Sequence, residues 1–177
     1  MIVRLKNIFP KIFFLLTTFI SYFIFLVYYD STTGLDFPNK YITYIQHFSF
    51  NDSLNPQDGQ GLLYYFFISK IVDLKMHNLG PYNLNEILNN SIQLGNLLFI
   101  FLGYFGLYKL YKLFDLNTNT ILIGLSFLNF FPPLIYLRLT FKSEVLAFSL
   151  LPWVLYFFEQ NKKKKPTKKI NELLLII

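Results

Sequence analysis

Residues 87–108 read "ILNNSIQLGNLLFIFLGYFGLY", without a single charged side chain, and Lys109 and Lys112 follow at once. A hydrocarbon core about 30 Å thick needs roughly 20 helical residues at about 1.5 Å each. The stretch is long enough, so it reads as a membrane span that ends in lysine. Working outward, Ile12–Tyr29 and Leu116–Leu137 are also uncharged. Val145–Phe158 is a shorter uncharged run, which Ser143 and its neighbours extend. The expected spans are therefore about 12–29, 89–111, 119–137 and 143–158, with an outer loop over 30–88. A further apolar run starts near Ile170 and ends with the chain, so the sequence reads as the N-terminal part of a larger protein.

Charge sets the expected direction of each span. Arg4, Lys6 and Lys11 precede the first run, and six more basic residues lie in "KKKKPTKK" at 162–169. Threading the spans from a cytoplasmic N-terminus puts eleven Lys and Arg inside and five outside. Seven of the ten acids fall outside. That is the positive-inside pattern of a multi-pass protein, expected in a bacterial inner membrane. The net charge of +6 is thus a topology and lipid-headgroup signal rather than a nucleic-acid surface. A cleaved signal peptide is the competing reading of the first run, but no A-x-A site follows it.

Composition agrees. Of 177 residues, 54% are hydrophobic and 20% aromatic, more apolar surface than a soluble chain of this length can hide. The chain has no cysteine, which excludes disulfides and thiolate metal sites. Its two histidines, His47 and His77, stand far apart, so a histidine metal centre is not expected. Nothing points to a particular cofactor.

The outer loop carries two expected interfacial helices. Phe37, Tyr41, Tyr44, Ile45 and Phe48 recur at helical spacing, after Asp36 as N-cap and Pro38 in the first turn. "LLYYFFISKIV" at 62–72 is nearly all apolar and should enter the interface or pack on the spans. Asn51 and Asn89 begin N-x-S triplets, which matter only in a eukaryotic secretory pathway. The predicted fold class is all-α: a polytopic transmembrane helical bundle with interfacial amphipathic helices in the first outer loop.

Chemistry is expected at the outer surface. Pro132 and Pro133 should break or kink the third span. Arg138, Lys142 and Glu144 follow, and a charge at mid-bilayer costs about 2.5–3.5 kcal/mol. These three are therefore expected at the outer interface or against a wet cavity. Arg138 and Lys142 share a helix face if that turn is helical. Asp30 and Asp36 leave the first span on the same side. A carboxylate beside cations at a lipid surface suits transfer from a lipid-linked phosphate. Plainer roles stand beside these: Asp36 as N-cap, Asp30 as a helix-end marker, Asp58 as a turn residue, and Arg138 and Lys142 as snorkelling cations. Glu144 has a plain role too, pairing with Lys142. Asn89, Gln93 and Asn96 lie on one face of the second span and are read as interhelical hydrogen-bonders.

The order of parts resembles the N-terminal portion of the GT-C superfamily of membrane glycosyltransferases, which includes protein O-mannosyltransferases and lipid A aminoarabinose transferases. "GLDFPNKYITYIQHF" at 34–48 is similar to that family's acid-bearing interfacial helix. "DGQGLLYYFFISKI" at 58–71 looks like its "PPLYY"-type segment, with "GQG" in place of the proline pair. "RLTFKSEVLAFSLLPWVLYF" at 138–157 resembles the opening of its fourth span. The resemblance implies an outer-face transferase that uses a polyprenyl-phosphate sugar, usually with inversion. It implies Asp36 as catalytic base and Arg138 and Lys142 on the lipid phosphate. Glu144 and Asp58 are further substrate-binding candidates. The implied partners are membrane lipid, the lipid-linked donor and the remainder of the same protein. The rival readings are a transporter or channel component and an accessory membrane subunit.

Overall fold

The computed structural model describes residues 2–28, 44, 45, 48, 62–79 and 84–164. Among these residues every regular element is a helix, with no strand. The helices are α1 (Ile2–Tyr28), α2 (Leu62–Leu79), α3 (Leu84–Leu113), α4 (Thr118–Leu128), α5 (Pro132–Leu139) and α6 (Glu144–Lys164). Helix α3 is long and apolar enough to cross a membrane, with a mean hydropathy of 1.4 over its best window. Together α4 and α5 pass the same test as one broken span, bent by 66°.

The break follows from the prolines. A residue before proline is pushed out of the helical region, and Phe131 is extended at φ −71° and ψ 119°. Pro132 then opens α5, where its missing N–H costs nothing. The expected break is therefore present, and the expected span 119–137 is two helices rather than one rod. Upstream, Asn117 caps α4 by accepting from the Asn119 N–H. Asp115, in the left-handed region at φ 57°, turns the chain out of α3.

The contacts fix the helix directions. Residues 114–117 join α3 to α4 as a tight antiparallel turn. Gly103 lies on Phe148 and Ser149, Gly106 on Pro152 and Trp153, and the Lys163 ammonium donates to the Leu113 carbonyl. Numbers rise together, so α3 and α6 run parallel. By the same reasoning Phe13 meets Phe127 and Ser21 meets Asn129, so α1 runs with α4. The lysine-bearing ends of α3 and α6 thus lie at one end of the bundle. The C-terminal end of α1 and the start of α6 lie at the other.

Helices α3 and α6 share the most extensive contact, because glycine lets their backbones approach. A Cβ on Gly103 would sit 2.8 Å from the Phe148 ring and 3.2 Å from Ser149 Cα. On Gly106 it would sit 3.0 Å from both Pro152 and Trp153. Trp153 adds a 3.0 Å hydrogen bond from its indole N–H to the Leu102 carbonyl. Such small-residue seams are the usual way helices pack closely in lipid.

Helix α2 packs on α3 as its sequence suggested. Tyr64, Tyr65, Ile68 and Val72 form its buried stripe. The predicted stripe of the first outer segment holds at the positions described: Tyr44 and Ile45 are buried, and Tyr44 stacks on Tyr65 at 4.7 Å. Large apolar side chains remain exposed on the outer faces, including Phe9, Leu15 and Phe19 of α1 and Leu151, Val154 and Phe158 of α6.

Candidate functional site

The polar side chains of the bundle converge on the α4–α5 break and on the link between α5 and α6. A helix end leaves carbonyls without partners, and inside an apolar bundle another side chain must meet them. At the break this is Arg138, which is only 4% exposed. Its guanidinium donates to Ser21 Oγ of α1 and, at 3.2 Å, to the Asn129 carbonyl just past α4. The cation therefore sits at the negative end of α4, where the helix dipole favours it.

Asn129 completes the junction. Its Nδ2 donates to Thr18 Oγ1 at 2.9 Å and Thr17 Oγ1 at 3.2 Å, and its Oδ1 accepts from the Tyr104 hydroxyl at 2.9 Å. Its carbonyl also accepts from Ser21 Oγ at 3.1 Å. One asparagine thus ties α1, α3 and the break together.

The α5–α6 link is the second centre. Helix α5 ends at Leu139, and Thr140 is extended at φ −101° and ψ 150°. Phe141 is buried among Tyr65 and Tyr64, with ring centroids 5.0 and 5.7 Å away. Lys142 follows at the edge, its ammonium 5.2 Å from the Tyr136 ring centroid. Glu144 is exposed in the first turn of α6, where its negative charge suits the helix dipole.

The structure thus separates two residues that were expected on one face. Arg138 points into the bundle, while Lys142 stands beyond the helix end, two residues before Glu144. The extended backbone at Thr140 is the reason, because it ends the helical repeat between them. Asp36, Asp58, Asp30 and His47 lie outside the described residues. Among the described residues no group of His, Asp or Glu is arranged to hold a metal ion.

Asn96 makes the interhelical bonds its sequence position suggested, whereas the Gln93 amide donates to Asn89 on its own helix at 3.1 Å. Sequence reasoning missed Asn129, Tyr104 and the Thr17–Thr18–Ser21 set. The last had a visible signal: hydroxyls at i, i+1 and i+4 mark one stripe of an otherwise apolar run. No family model, curated protein or solved structure matches the chain.

Proposed function

We propose that this chain is the membrane-embedded part of a multi-pass glycosyltransferase of GT-C type, with a cytoplasmic N-terminus in a bacterial inner membrane. It moves a sugar from a polyprenyl-phosphate carrier to an acceptor hydroxyl at the outer face. The observation that carries this reading is the pair of helix directions. Helix α1 runs toward the end of the bundle where Lys142 and Glu144 stand, and the segment bearing Asp36 and Asp58 continues from α1. The exposed apolar faces of α1 and α6 support a lipid setting, since soluble monomers rarely leave such patches bare.

The chemistry follows from those groups. Asp36 takes the proton of the acceptor hydroxyl as the acceptor oxygen bonds the sugar C1. The bond from C1 to the phosphate oxygen breaks, and polyprenyl phosphate departs with inversion at C1. Lys142 meets the charge that grows on the departing phosphate as a compact ammonium. Glu144 and Asp58 contact the sugar. Arg138 is engaged by Ser21 and Asn129, so the phosphate role passes to Lys142.

The transport reading gains one point, because a buried arginine at a broken helix is what transporters display. Against it, the guanidinium is taken up by Ser21 and the Asn129 carbonyl at the break, which supports a structural role for this arginine. The experiment is transfer by the full-length protein in liposomes with labelled polyprenyl-phosphate sugars. Asp36→Asn should lower transfer at least about 100-fold. Equal transfer by both proteins removes Asp36 as base. A wild type that transfers nothing from any donor ends the transferase reading in favour of transport.

A further inference from the structure

The link that carries Lys142 and Glu144 is held from another helix. Asn96, in the middle of α3, is fully buried. Its Nδ2 points at three carbonyls, of Thr140 at 2.8 Å, Arg138 at 3.0 Å and Leu137 at 3.3 Å. The Leu137 and Arg138 carbonyls are ones that α5 leaves open when Thr140 becomes extended, and the Thr140 carbonyl also accepts from the Lys142 N–H at 3.0 Å. Asn96 Oδ1 accepts from the Tyr64 hydroxyl of α2 at 2.6 Å. Only this orientation of the amide works, since the reverse would face oxygen against carbonyl oxygen. Tyr64 reaches the same link a second time, with its ring on Phe141.

We propose that Tyr64 and Asn96 form a latch that holds the α5–α6 link and so positions Lys142 and Glu144. Neither residue touches substrate; both act through the backbone of residues 137–140. Helix α2 starts at Leu62, shortly after Asp58, so the latch also joins the acid-bearing outer segment to the cationic link. A shift of α2 pulls on the hydrogen bond to Asn96, and loss of that bond frees the amide that clamps the link. What Lys142 and Glu144 do rests on the transferase reading; how they are held does not.

These 177 residues hold no cysteine, so once any cysteine elsewhere in the full-length protein is replaced by serine, a single introduced thiol reports on one place. The test is Lys142→Cys in the full-length protein in liposomes, reacted with a charged maleimide, with and without Tyr64→Phe. The phenylalanine keeps the ring contacts and removes only the hydroxyl. The expected result is a roughly fivefold faster reaction at position 142, the population shift that follows loss of one buried hydrogen bond. Lys163→Cys, at the far end of the bundle, should react at an unchanged rate. If neither Tyr64→Phe nor Asn96→Ser moves the rate at position 142, there is no latch. Equal acceleration at both positions would mean general loosening, and this too overturns the proposal. In the transfer assay Tyr64→Phe should raise the donor KM more than it lowers kcat. A wild type without transfer ends the transferase reading and leaves the thiol result to decide the latch.

Discussion

The α3–α6 seam and the α1–α4–α5 junction hold helices together by different means. Along the seam, Gly103 and Gly106 bring two backbones close, and hydrogen bonds from the Trp153 indole and the Lys163 ammonium join them. At the junction, Arg138, Asn129, Ser21, Thr17, Thr18 and Tyr104 satisfy one another around a broken helix. A continuous helix meets most of its own backbone needs, although Pro152 withholds one N–H from the α6 ladder, so its neighbour has mainly to fit. A broken helix exports carbonyls, and polar side chains from distant parts of the chain must answer them. Shape tolerates the gradual loss of a contact, whereas the polar junction depends on every partner.

The sharpest way to break that contrast is Arg138→Leu. It removes the charged hydrogen bonds to Ser21 and to the Asn129 carbonyl, and leaves that carbonyl with Ser21 Oγ alone of these two donors. Stability should fall by about 3 kcal/mol, read from unfolding in a single detergent. Arg138→Lys should recover less than half, because an ammonium lacks the guanidinium fork. A leucine variant as stable as wild type would show that the junction is not held by charge. Next is Gly103→Val, which drives a branched side chain into Phe148 and the Ser149 backbone. Overpacking of this kind costs about 2 kcal/mol, and the same melts would detect it. Tyr104→Phe should cost about 1 kcal/mol. Combined with Asn129→Ala, it should cost less than the sum of the two, as expected for shared partners. The smallest effect has the opposite sign. Gly124 of α4 has open space where a Cβ would go, so Gly124→Ala should stabilise by about 0.5 kcal/mol through helix propensity. If Gly103→Val were equally harmless, the seam would not be set by close approach.

Much of the helical layout was legible because apolar runs and lysine clusters are local signals. The proline break was legible too, since proline acts on its own neighbours. Tyr44 and Ile45 follow from spacing alone, whereas the apolar run of α2 announced that it would pack or enter the interface but not which of its residues face inward. The junction was not legible: Ser21 and Asn129 stand 108 residues apart, and no local pattern announces their contact. The inward turn of Arg138 was hidden for a related reason. The cost of burying a charge argued for the surface, but the end of α4 supplies a partner that only the folded chain reveals. The separation of Lys142 from Arg138 depended on the conformation of one residue, Thr140, which composition does not set.

The shared direction of α3 and α6 has a consequence for synthesis. Two helices that point the same way cannot be neighbours across a short turn, so the chain must first return to the other end of the bundle through 114–143. Gly103 and Gly106 therefore emerge from the ribosome long before the surface that covers them. Until α6 arrives, a notch on α3 stays open to whatever surrounds the nascent chain, which makes the order in which the helices appear part of the fold.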